Sequence, residues 1–137
     1  MVSFTTFALL LYACAHALAS HTLGSVAVPT LWGVATSFSV APLLDPDCYE
    51  RIRRRRGWSV PTFWVGNLAL HFVPLCFPPP LHPAGIEWHH GAAATALHVG
   101  WWILESNGTF LLDATYVSAT PCTWYTATEV LLVPAFL

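Results

Sequence analysis

The chain has 137 residues, 55% hydrophobic and only 9% charged, with a mean hydropathy of +0.57. That is too little charge to cover an ordinary water-soluble domain, so lipid is the expected solvent. The formal net charge is −2, with five arginines and no lysine, which excludes the broad basic field a nucleic-acid partner requires.

The expected fold is all-α and integral to a membrane: a single compact bundle of four to five transmembrane helices with short loops. Residues 2–19 form an uncharged apolar run long enough to span about 30 Å as a helix. Ala17-Leu18-Ala19 before Ser20 also has the form of a signal cleavage site, but the run lacks a basic n-region and is read as a retained span. A second span, 22–44, follows after a polar pause at Ser20-His21-Thr22, so the pair is predicted to be a tight hairpin. Ser25, Pro29, Gly33 and Ser37 recur every four residues, a stripe along which a second helix can approach closely and at which Pro29 can bend the rod. Thr30 or Thr36 on the same span is the alternative of a buried nucleophile.

Next comes the polar stretch Asp45-Pro46-Asp47-Cys48-Tyr49-Glu50 with Arg51, Arg53, Arg54, Arg55 and Arg56. Each arginine costs roughly 2.5–3.5 kcal/mol at a bilayer centre, so the stretch is an aqueous loop. Such a loop stays on the cytoplasmic side, or its organellar equivalent, and sets the direction of every span. A headgroup-binding or docking patch is the functional alternative. The third span, 60–77, begins among interfacial Trp58 and Trp64 and exits into Pro78-Pro79-Pro80, where no helix can continue. Residues 78–90 then read as an exposed connector bearing His82, Glu87, His89 and His90, an outer loop cluster. The fourth span is 91–105, and a fifth stretch, 121–137, is only just long enough to cross.

With the arginine loop inside, all seven histidines fall on the outer side or in the outer halves of spans. His71 and His98 are then expected roughly 10 Å below the outer surface, level with each other on antiparallel neighbours. Two level imidazoles can ligate a transition metal or a haem iron, and Asn67, one turn before His71, is placed to fix its tautomer. Interhelical hydrogen bonding is the plainer use of both rings. Glu105, near the face of His98, and Glu129, in the last span, are intramembrane acids suited to a proton relay or an ion path. If the last segment is shallow, Glu129 instead faces water. Asn107-Gly108-Thr109 is a glycosylation sequon placed by this topology at the inner end of span four, so it is expected to be unmodified. Cys14 and Cys76 share the outer half, where a disulfide is permitted but not implied; Cys48 and Cys122 lie in the inner half.

Asn67, His71 and Pro74 on one span, with Gly108 and Asp113 later, look like elements of the threonine-and-histidine lipid hydrolases related to the androgen-induced proteins. The spans between those elements are missing or misplaced here. The resemblance implies Thr30 or Thr36 as nucleophile and His71 as base, acting on a lipid ester.

Three functions follow. The first is a non-catalytic subunit or assembly scaffold of a membrane complex, with the lipid bilayer and other membrane proteins or further copies as partners. The second is a metal- or haem-binding redox protein using His71 and His98. The third is an intramembrane lipid hydrolase or proton-coupled carrier.

Overall fold

A computed structural model describes residues 4–44 and 46–106. Among these every regular element is a helix: α1 (Phe4–Ala17), α2 (His21–Leu44), α3 (Cys48–Arg56), α4 (Val60–His71), α5 (Val73–Cys76) and α6 (Trp88–Ser106). The other helices gather round α2, which packs against α1, α3, α4, α5 and α6. One core cluster is Ala8, Leu31 and Val34, with Phe4, Leu9, Tyr12 and Leu75 against it. Toward the far end of α2 an aromatic group takes over, in which Phe38 stacks on Tyr49 at 4.7 Å and on His71 at 4.4 Å.

Among the described residues only α2, over His21–Leu43, is long and apolar enough to cross a membrane. The expected count of four to five crossing helices is therefore met by one, for local reasons. Helix α1 has 14 residues, about 21 Å, and stops at Ala17. Its end is a Schellman turn: Ser20 N–H reaches back to Ala15 O (3.0 Å) and Ala19 N–H to His16 O (3.1 Å). Ala19 occupies the left-handed position of that turn at φ 46°. Ser20 then caps α2, its Oγ accepting from Leu23 N–H at 3.3 Å.

The third span is a broken rod of α4 and α5, because Pro74 has no N–H to give the carbonyl of Leu70. Ser59 starts it by accepting from Thr62 N–H at 3.2 Å. Helix α6 is long enough at 19 residues, but His89, His90, Thr95 and His98 lower its hydropathy. The expected fifth span, 121–137, lies outside the described residues.

Two further expectations change. The polar stretch after α2 is not simply a loop, because residues 48–56 are helical. Glu50 lies one turn from Arg53 and Arg54 and pairs with both, which supports the helix from its side. Gly57, at φ 64°, ends it in a second Schellman turn with Trp58 N–H on Arg53 O at 3.0 Å. The connector after Phe77 is not free in water either. Pro79 is buried, and a Cβ on Gly24 would lie 2.0 Å from Pro80 O, so only glycine lets the strap pass that close to α2.

Candidate functional site

His71 ends α4 and His98 lies midway along α6, 5% and 2% exposed respectively. Thr5 Oγ1 lies 3.4 Å from His71 Nε2, and the neighbouring Phe4 ring lies 4.1 Å from the His98 ring. Consecutive residues of α1 thus touch the two imidazoles, which places both rings at one level. That level is far from the contact between the connector and the head of α2. Ser25 meets the connector at His82 and Phe38 meets His71, a separation along α2 of about 20 Å. The chain continues beyond Phe77 to Leu81 and His82 before it meets the head of α2.

The rings are held separately. His98 Nδ1–H donates to Ala94 O at 3.0 Å, which leaves Nε2 as a bare lone pair. That nitrogen, His71 Nδ1 and Thr95 Oγ1 are buried without a hydrogen-bond partner among the described residues. Asn67 does not serve His71 through its amide, which donates instead to Phe63 O at 2.7 Å. Among the described residues no group of three or more His, Cys, Asp or Glu is placed to hold a metal ion.

The residues expected to form an outer loop cluster are brought together. His89 Nδ1 lies 3.3 Å from Glu87 Oε2, and the His90 ring is 4.0 Å from His89 and 6.3 Å from His82. Two of these imidazoles are acceptors: Glu87 N–H donates to His90 Nδ1 at 2.9 Å, and Ala84 N–H to His82 Nδ1 at 3.3 Å. An Nδ1 that accepts leaves the ring proton on Nε2, so these faces are not ready metal donors. His90 thereby caps the first turn of α6 from the third position, as Glu or Gln does in a capping box. Burial, then the neighbouring His89, hold His90 below the ordinary imidazole value, with Glu87 opposing and His82 adding to the shift. Two more histidines bind the strap as donors to carbonyls: His16 Nε2 on Phe77 O (3.2 Å) and His21 Nδ1 on Leu81 O (2.6 Å). Tyr12 OH shares Phe77 O at 2.7 Å.

At the opposite end of α2 stands the arginine helix. Arg53 is fully used inside it, forked on Glu50 (2.7 and 2.6 Å) with a third bond to Trp58 O at 2.9 Å. Arg54 Nε also reaches Glu50, at 2.6 Å. These bonds, Arg53 first, hold the Glu50 carboxyl down to about 2. Tyr49, which no motif flagged, pins α3 to α2 by donating its hydroxyl to Phe38 O, and burial pushes that phenol up to about 12.

Thr30 is completely buried and its hydroxyl is spent on Val26 O, 2.7 Å away in its own helix. The hydroxyl near His71 is Thr5, which sequence reasoning passed over for want of any motif. The Ser25, Pro29, Gly33 and Ser37 stripe is buried along its length. Cys14 and Cys76 are free thiols. Glu105 falls on the last turn of α6, while Asn107, Gly108, Asp113, Cys122 and Glu129 lie outside the described residues. No family model, curated protein or solved structure matches this chain.

Proposed function

We propose that the chain is a small polytopic membrane protein serving as a non-catalytic subunit or scaffold of a larger membrane assembly. The observation that carries this reading is a set of buried polar side chains within the bundle beside large apolar side chains exposed on its surface. Ser25, Thr30, Ser37, Asn67, His71 and His98 are buried, while Leu43 is 80% exposed, Val65 69%, Phe77 65% and Trp64 44%. Water penalises an exposed surface of that kind, and lipid or a partner helix does not. Two of the buried hydroxyls are satisfied within their own helix: Ser37 Oγ donates to Gly33 O at 2.8 Å, as Thr30 does to Val26 O. Polar side chains buried among the helices and large apolar ones on the surface fit a helix bundle in a bilayer.

Short helices fit this reading if they tilt little, thin the bilayer locally or lean on partners. The arginine helix faces the cytoplasmic or equivalent side, and the histidine-rich end faces away from it. Alkaline carbonate extraction tests the membrane part: the chain stays with the pellet, and its release ends the proposal. Native gel migration in a complex well above 15.0 kDa, unchanged by His71→Ala, tests the subunit part. A second reading, a metal- or haem-binding redox protein using His71 and His98, is favoured by the bare Nε2 of His98. Elemental analysis and an absorption spectrum of the purified chain decide it.

A further inference from the structure

We propose that the face of α3 formed by Arg51, Arg54 and Arg55 is a docking surface for the phosphate headgroups of anionic phospholipids in the bilayer that holds α2. This rests on the membrane reading above. Residues three and four apart lie on one side of a helix, and these three are exposed, whereas Tyr49, Ile52 and Arg53 on the other side are partly buried. The structure thus divides five arginines by task. Arg53 is a structural clasp on Glu50 and Trp58 O, and Arg56 lies over the Trp58 ring at 5.5 Å. Arg54 keeps a side chain 75% exposed in spite of its bond to Glu50.

Height favours lipid over a soluble anion. Helix α3 is tethered to α2 and α4 by three residues on each side, and Tyr49 fixes it against Phe38. Leu43 (80% exposed), Val60 (54%) and Trp64 (44%) mark where the apolar surfaces of α2 and α4 stop. The guanidinium groups therefore sit on a fixed shelf at the edge of that apolar surface, where headgroup phosphates would lie. Arg51, Arg55 and Arg56 also have interactions within the protein. A phosphate offers a guanidinium fork two strong acceptors at once. The segment 45–56 carries five arginines against three acids, one of which, Glu50, is held by Arg53 and Arg54. Basic clusters directly beside a membrane span attract anionic leaflets in this way.

The test uses the full chain purified from mixed micelles of phosphatidylcholine with a minority of phosphatidylglycerol, the retained lipid being extracted and counted. Phosphatidylglycerol is expected to be enriched over its input share by at least about five-fold, the factor one basic residue near such a surface is worth. Enrichment falls to the input ratio in the R51Q/R54Q/R55Q variant, whose helix content is checked by circular dichroism. It also falls in about 0.5 M salt, where screening is short, and it survives millimolar inorganic phosphate. Equal enrichment in wild type and variant overturns the site, as does full displacement by free phosphate, which would make the ligand a soluble anion. Carbonate extraction of the wild type is run beside it, so that failure of the membrane reading is seen separately.

Discussion

Acidification is expected to loosen the start of α6 through His90, and the sign follows from which atom holds the proton. Glu87 N–H donates to His90 Nδ1 at 2.9 Å, so this nitrogen must be bare for the cap to exist. The groups facing it are Glu87 and His82 before α6 and His89 within it, with His21 on α2 and His16 on α1 holding the strap. His90 in the folded protein titrates below the unfolded value of 6.5. Above that value both states are neutral and the cap is fully present. As pH falls through it the unfolded chain takes the proton first, so stability declines until the folded ring is protonated too. A side-chain cap is worth about 1 kcal/mol, or roughly a five-fold change in local opening. His16 and His21 instead donate to carbonyls. Hydrogen exchange in detergent, corrected for the intrinsic pH dependence, reads this directly. Protection at Glu87 falls about five-fold between pH 7.5 and 5, while the segment near Phe77 stays protected. His90→Asn, whose Oδ1 can take the place of Nδ1 without titrating, retains protection at Glu87 at both pH values. Equal acid sensitivity of Glu87 in that variant would refute the reasoning.

Four other outcomes are expected. Ala19→Gly removes the left-handed penalty at φ 46° and should stabilise the hairpin by about 1 kcal/mol; an unchanged or lower thermal midpoint contradicts the assignment. Gly24→Ala drives a methyl to 2.0 Å from Pro80 O, so the strap must lift, costing about 1–3 kcal/mol and exposing the Leu81 and His82 amides to exchange. His98→Leu removes a buried nitrogen that has no partner, so stability should hold or rise; a loss accompanied by loss of a bound metal would favour the redox reading. The Glu50 carboxyl, followed by carbon NMR, should titrate near 2. Its contribution to α3 is therefore complete above the unfolded value of 4.5 and fades as pH falls from there toward 2; a midpoint at the unperturbed value would break the Arg53 clasp.

Helix positions were largely legible because long apolar runs are bounded by residues that cannot continue them. The expected 22–44 became His21–Leu44, and Pro78-Pro79-Pro80 does end the broken rod. Helix α3 was hidden because a charge run reads as solvated loop, and its helical support is a pairing of Glu50 with Arg53 and Arg54 that only spacing discloses. The strap was hidden for a different reason. Its anchors, Tyr12, His16, His21 and Ser25, lie more than fifty residues away in sequence, and each grips a backbone group of the connector. Backbone acceptors leave no mark on composition.

Which face of each helix is buried was harder to read than where the helices lie. Amphipathic periodicity arises when water faces one side of a helix. On α2 the exposed Trp32 and Leu43 are as apolar as the buried Leu31 and Phe38, so a stripe of large hydrophobic residues carries no information. The informative residues are the small and hydroxyl-bearing ones. Ser25, Pro29, Gly33 and Ser37 all face inward, as expected where close backbone approach, not exclusion of water, holds helices together. The same rule accounts for Ala94 and His98 on the inward face of α6, one turn apart and joined by the Nδ1–H bond. Small and polar side chains at one-turn spacing thus mark the inward faces of α2 and α6.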